Sequence, residues 1–193
     1  MDRADTQALL ERAQAGSADA LNALFERCAG KLLALIRVRM GRGLRAHLES
    51  QDILQAVLLK AFQRIDQFQR ADAGSLMAWL ARIAENEIRD QADHHRRQRR
   101  DPARVCRTEG AADHLADQVR SLVSGLVFNE TLRRIERALD ELEEPHREVI
   151  VLRMFEELSF QEIGERLGRS PDACRMLLAR ALTALSLKTR EAP

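Results

Sequence analysis

Apolar residues recur along most of this chain at intervals of three and four, the period of a helix with one buried face. The pattern is short from Thr6 to Ala15 and stops at Gly16, and Ser17 is placed to cap the next helix. Leu21, Leu24, Phe25, Leu32, Leu35 and Ile36 then form the stripe of that longer helix, which Gly41 and Gly43 are expected to break. Ser50 is the expected cap of a third helix, with Ile53, Val57, Ala61, Phe62 and Ile65 on its inward face. The polar stretch Gln67 to Gly74 reads as a loop, and Ser75 opens a fourth helix with Leu76, Leu80, Ile83, Ala84 and Ile88 inward. Asp101-Pro102 ends it, because the residue before a proline disfavours helical backbone.

Between residues 101 and 128 the stripe dissolves into scattered Gly, Ala, Asp and Ser, with a weak helix from Ala112 to Val123. A stretch of that length without a sustained pattern separates domains. The expected fold is therefore all-α: two small helical domains, 1–100 and 129–193, joined by a flexible linker, 101–128. Composition agrees, since the aromatic share is 4%, Tyr is absent, and strong helix formers outnumber the residues that favour strands.

The sharpest local signal lies between Ser159 and Leu187. Ser159-Phe-Gln-Glu162 has the form of a capping box, in which the serine hydroxyl and the glutamate carboxylate each satisfy a backbone N–H of the first turn. Gly168 is a helix stop, and after Arg169 the pair Ser170-Pro171 supplies an N-cap and a first helical residue. Two helices joined by so short a turn cross steeply, as in a helix-turn-helix. On the second helix Cys174, Leu177, Leu178, Ala181 and Leu185 share one side. Asp172, Arg175, Met176, Ala179 and Thr183 share the other, with Arg180 at the margin. A short, partly basic outward face suits entry into a major groove, and it also suits a plain helical hairpin packed on another protein.

The net charge of +1 conceals segregation. Residues 94–100 read His-His-Arg-Arg-Gln-Arg-Arg, residues 136–165 are rich in acid, and the balance turns basic again from Arg166. Local basic surfaces attract a polyanion whatever the total, although a charge run is also how a solvated helix face looks. On the fourth helix Arg82, Asn86 and Arg89 recur at helical spacing opposite Leu80 and Ile88 and lead to Arg96 and Arg97, an arrangement suited to lying along nucleic acid. On the third helix Leu54, Leu58 and Leu59 widen the apolar surface beside Asp52 and Gln55. That fits either a partner surface or a central helix buried on several sides.

Other chemistry finds little support. Cys28, Cys106 and Cys174 form no CxxC pair and fit free thiols in a reducing compartment. The five histidines have no metal-ligand spacing, no glycine-rich phosphate loop is present, and neither an enzyme nor a cofactor is expected. No apolar run approaches the roughly 20 residues of a membrane span, and Met-Asp-Arg-Ala-Asp is no signal sequence, so a cytoplasmic protein without membrane insertion is expected.

Four segments occur in order: Asp52–Phe62, Trp79–Asp90, Leu139-Asp-Glu-Leu-Glu-Glu-Pro-His-Arg-Glu-Val-Ile-Val-Leu-Arg153, and the helix-turn-helix. Together they resemble the bacterial RNA polymerase sigma factors of the extracytoplasmic-function group, within the sigma-70 family. The resemblance implies a factor that directs core polymerase to promoters and helps open DNA. It assigns domain 1–100 to core polymerase and the -10 element, and domain 129–193 to the -35 element. Asp52, Gln55 and Leu59 are the implied polymerase contacts. Arg82, Asn86, Arg89, Arg96 and Arg97, and in the second domain Ser170, Arg175, Met176, Ala179 and Arg180, are the implied DNA contacts. Core RNA polymerase, promoter DNA and an anti-sigma protein are the implied partners. The rival readings are a stand-alone helix-turn-helix regulator, which leaves the arginine-tipped first domain without a purpose, and a helical adaptor with no nucleic-acid role.

Overall fold

A computed structural model describes residues 3–68, 75–98, 113–124 and 130–191, all within or beside helices. The chain divides into two compact units, Met1–Phe68 with Arg82–Leu126 and Gln69–Ala81 with Val127–Pro193.

In the first unit α1 (Arg3–Gln14) packs against α2 (Ala18–Arg45), and α2 against α3 (Ser50–Phe62). Ser17 caps α2 as expected, its hydroxyl accepting from the Ala20 N–H at 3.3 Å. Gly41 interrupts α2 as expected: with φ 63° and ψ 172° it takes a non-helical backbone open to glycine, and a short second helical stretch follows to Arg45, straight through Gly43, which breaks nothing. Ser50 is not the cap of α3. Glu49 holds that position, while the buried Ser50 hydroxyl accepts from Arg37 Nη1 at 3.1 Å and ties α3 to α2. A single 3-10 turn, Ile65–Gln67, comes next, and the Gln14 amide donates to the carbonyls of Ile65 and Phe68 at 2.9 and 2.8 Å. The loop expected from Gln67 to Gly74 lies outside the described residues beyond Phe68.

Ser75 caps α4 (Leu76–Gln98), its hydroxyl accepting from the Ala78 N–H at 3.1 Å. The helix α5 (Asp113–Ser124) occupies the second half of the expected linker and packs against α3, with Val119 and Val123 buried. That neighbour explains why Leu54 and Leu58 are fully buried alongside Ile53, Val57 and Ala61: α3 is covered on several sides. Phe62, expected inward, is instead 38% exposed. Lys60 on α3 reaches the buried Glu87 of α4 at 2.5 Å, and Gln91 donates to the same carboxylate at 2.9 Å. A buried carboxylate needs such partners, because unpaired it would bear the full cost of leaving water.

In the second unit α6 (Glu130–Asp140) and α7 (Glu144–Ile150) lead through a π-type turn, Val151–Phe155, into α8 (Phe160–Leu167) and α9 (Pro171–Glu191). The long α9 packs against α6, α7 and α8, placing Leu139, Val149, Leu152, Ile163, Cys174 and Ala181 in the core. The turn is closed by the Glu156 N–H to the Val151 carbonyl at 3.1 Å and by Arg153 Nη1 to the Leu158 carbonyl at 2.7 Å. The Glu156 side chain is fully buried and paired with Arg166 at 2.9 Å, a bond that ties the turn to α8.

Candidate nucleic-acid interface

The helix-turn-helix is assembled almost entirely from neighbours in sequence. At its start the Glu162 N–H donates to Ser159 Oγ at 3.2 Å, and the Ser159 N–H donates to Glu162 Oε2 at 2.6 Å. The Ser159 side-chain bond, then the Ser159 backbone bond, hold the Glu162 carboxyl below the usual carboxylate range, with partial burial opposing them. At its corner Gly168 is left-handed, φ 64° and ψ 38°, and the Arg169 N–H donates to the Gly164 carbonyl at 2.9 Å. The corner is so tight that a Cβ on Gly164 would stand 2.5 Å from the Arg169 carbonyl oxygen. Ser170 then caps α9, its hydroxyl accepting from the Ala173 N–H at 3.2 Å.

This geometry turns one side of α9 outward. Asp172, Arg175, Met176, Ala179, Arg180 and Thr183 are exposed, with Ser170 at the tip, while Cys174 and Ala181 are buried and Leu177, Leu178 and Leu185 half-buried. Arg175 is not a loose side chain: it bonds Asp172, and its guanidinium lies 5.1 Å from the centre of the Phe160 ring. Arg153 lies 4.9 Å from the same ring. An aromatic face attracts a cation, so Phe160 gathers two arginines from separate helical segments. Arg153 and Phe160 are candidate residues that no periodicity marks, since they come together across the π-type turn and the corner.

In the first unit, about 100° of rotation per residue places Arg82, Asn86, Arg89, Arg96 and Arg97 along one side of α4, and all five are exposed. Ile83, Ala84, Glu87 and Ile88 take the buried side. Asp93 shares the outward stripe and pairs with Arg96 at 3.0 Å, which leaves the stripe basic overall. On α3, Asp52 is exposed and Gln55 and Leu59 are half-buried, all three on one side, while Leu54 and Leu58 belong to the core. Arg99 and Arg100, the rest of the basic run, lie outside the described residues. Among the described residues no helix is long and apolar enough to cross a membrane.

Residues 24–101 match the family Sigma-70 region 2, and residues 132–185 match Sigma-70, region 4. The sequence is 32% identical over 168 residues to the RNA polymerase sigma factor CarQ of Myxococcus xanthus, covering 86% of this chain and 87% of that protein. It is 29% identical to the ECF RNA polymerase sigma factor BldN of Streptomyces coelicolor over 96% of this chain, which spans 66% of that longer relative. The fold is similar to that of CnrH, solved in complex with the cytosolic domain of CnrY. The TM-score is 0.53 at 23% identity, covering 98% of this chain and 99% of that one. With these two regions matched and similarity to CarQ over most of both chains, the chain belongs to the sigma-70 family of RNA polymerase sigma factors, in its extracytoplasmic-function group.

Proposed function

We propose that this sigma factor divides its work between three exposed faces. The open side of α3, with Asp52, Gln55 and Leu59, docks on core RNA polymerase. The stripe Arg82, Asn86, Arg89, Arg96 and Arg97 on α4 holds the -10 element. Ser170, Arg175, Met176, Ala179 and Arg180 of the helix-turn-helix read the -35 element, with Arg153 on the neighbouring backbone. The domains of 1–100 and 129–193 carry the first two tasks and the third, and an anti-sigma protein is the expected antagonist. The chain then contributes binding and selection, while the chemistry belongs to the polymerase.

The observation that carries this reading is the pair of outward polar faces, one on α4 and one on α9, each inside a different matched family segment. Direct readout needs side chains that reach base edges from an outward face on which basic groups outnumber acidic ones, as they do on both helices. Arginine, with its planar fork of donors, is the commonest such reader. The test is a pull-down with core RNA polymerase and then transcription from a promoter library. Stable binding and new start sites are expected, whereas a folded sample that binds duplex DNA alone and ignores core polymerase would mark a stand-alone regulator. Within that assay Arg175→Ala should lower promoter-specific transcription and leave core binding intact. Gln55→Ala should weaken core binding first, and unchanged core affinity would remove α3 from the docking surface.

A further inference from the structure

Phe160 stands at the first position of α8, where the capping box of Ser159 and Glu162 fixes the backbone that carries its ring. The side chain is half-buried and takes no place in the core of the second unit. A phenyl ring has no hydrogen-bonding group, so its face is all it offers a polar neighbour. Among the described residues that face is engaged by two guanidiniums, Arg153 at 4.9 Å and Arg175 at 5.1 Å from the ring centre.

Neither cation is a loose surface arginine. Arg153 Nη1 donates to the Leu158 carbonyl at 2.7 Å, which fixes its head across the π-type turn. Arg175 is gripped twice, by Asp172 one turn earlier on α9 and by the ring at the start of α8. The bond to Asp172 uses Nη1, and a guanidinium has N–H donors enough left for a two-point contact. Alone, Asp172 would be a weak grip, because the pair is 56% and 88% exposed and joins residues three apart on one helix. The second grip comes from a different helix.

Such a grip matters beside DNA. Phosphate charge draws a free guanidinium to the nearest backbone oxygen, a contact blind to sequence. Reading a base instead needs the fork held at one angle, because discrimination comes from a pair of parallel bonds. We propose that Phe160 is a positioning residue for base selection, its ring holding Arg175 to a base edge and away from phosphate. This rests on the reading of the helix-turn-helix as the part that recognises the -35 element. The edge that an arginine fork fits is that of guanine, through O6 and N7. Phe160 acts through Arg175, and Arg153, anchored on the Leu158 carbonyl, steadies the same ring.

The test assembles wild-type, Phe160→Leu, Phe160→Tyr, Asp172→Ala, Arg175→Ala and Phe160→Leu/Arg175→Ala chains with core RNA polymerase. Affinity is measured on a promoter whose -35 element the wild type has selected, on single base-pair replacements of that element, and on a scrambled one. Phe160→Leu should cut the preference for selected over scrambled by about two- to fivefold, the worth of one cation–ring contact. The loss should fall at one base pair containing guanine, while affinity for the scrambled element is not reduced. Phe160→Tyr should restore the preference, and Phe160→Leu should add nothing once Arg175 is alanine. Asp172→Ala leaves the core untouched and should relax the same base pair, so it tests the grip even where Phe160→Leu does not fold. Full preference kept by Phe160→Leu, or by Asp172→Ala, overturns the proposal. So does an equal loss on both elements, which would make the ring merely structural, or a loss that persists in the Arg175→Ala background. A wild-type holoenzyme that binds promoters but selects no -35 element would overturn the reading on which this inference rests.

Discussion

Gly41 and Gly168 have nearly the same φ, 63° and 64°, and both interrupt a helix, yet they do so for different reasons. At Gly168 everything nearby agrees on a stop: ψ is 38°, the Arg169 N–H turns back to the Gly164 carbonyl, and Ser170-Pro171 starts a new helix at once. At Gly41 ψ is 172° and the residues before it are held from elsewhere, Met40 in the core, Arg37 on Ser50 and Arg39 on Glu85. The chain therefore kinks there and re-enters a short helical stretch that runs to Arg45. In the first unit, contacts between distant segments decide where the backbone goes; in the helix-turn-helix, residues within a few positions of one another decide it.

That contrast can be broken or sharpened by substitution. The largest effect is expected from Leu58→Ala, which empties a fully buried site on α3. Loss of transfer energy together with the residual cavity should cost about 2–5 kcal/mol. Denaturant unfolding combined with hydrogen exchange should show the loss spread over α2, α3 and α5, and a loss confined to α3 would mean the first unit is less cooperative than its packing implies. Gly164→Ala comes next. Its Cβ would press on a backbone carbonyl, which has less freedom to yield than a side chain, and overpacking of this kind costs about 1–3 kcal/mol. Exchange should quicken in α8 and α9 and stay unchanged in α2 and α3.

Ser159→Ala is the smallest perturbation, removing the capping box at a cost of about 1 kcal/mol. Its pH dependence sharpens the comparison. Because the folded-state Glu162 carboxyl titrates below its ordinary value, the stabilisation is complete above the ordinary carboxylate range and is lost as pH falls through the lowered value. Thermal unfolding of wild type and variant should differ most near neutral pH and draw together in acid. A gap that widens in acid would show that the carboxylate is not what the serine holds.

The same contrast explains what could be read from the residues in order. Ser17, Ser75, the capping box, Gly168 and Ser170-Pro171 are legible because each satisfies backbone groups within about four residues, a range that sequence spacing describes directly. Ser50 misleads because its hydroxyl is taken by an arginine thirteen positions earlier, and local cap rules carry no information about that. Leu54 and Leu58 stay ambiguous until α5, some sixty residues on, is seen against α3. Of the candidate interface, the outward side of α4 can be read from period alone, and all five of its chosen residues are exposed. The Phe160 ring that gathers Arg153 and Arg175, and the buried Glu156 that meets Arg166, depend on the π-type turn, which shifts the helical register where no glycine or proline marks it.

The packing of α5 on α3 bears on how such a protein can be divided and recombined. The matched first region stops at residue 101, but Val119 and Val123 lie beyond it and are buried. A fragment cut at that boundary would leave bare the apolar surface these two valines now cover, and would be prone to associate with itself or with whatever greasy helix it met. A module exchanged between relatives would keep the α3 surface covered only if it carried its own α5 with it, so no cut before Ser124 leaves that core closed.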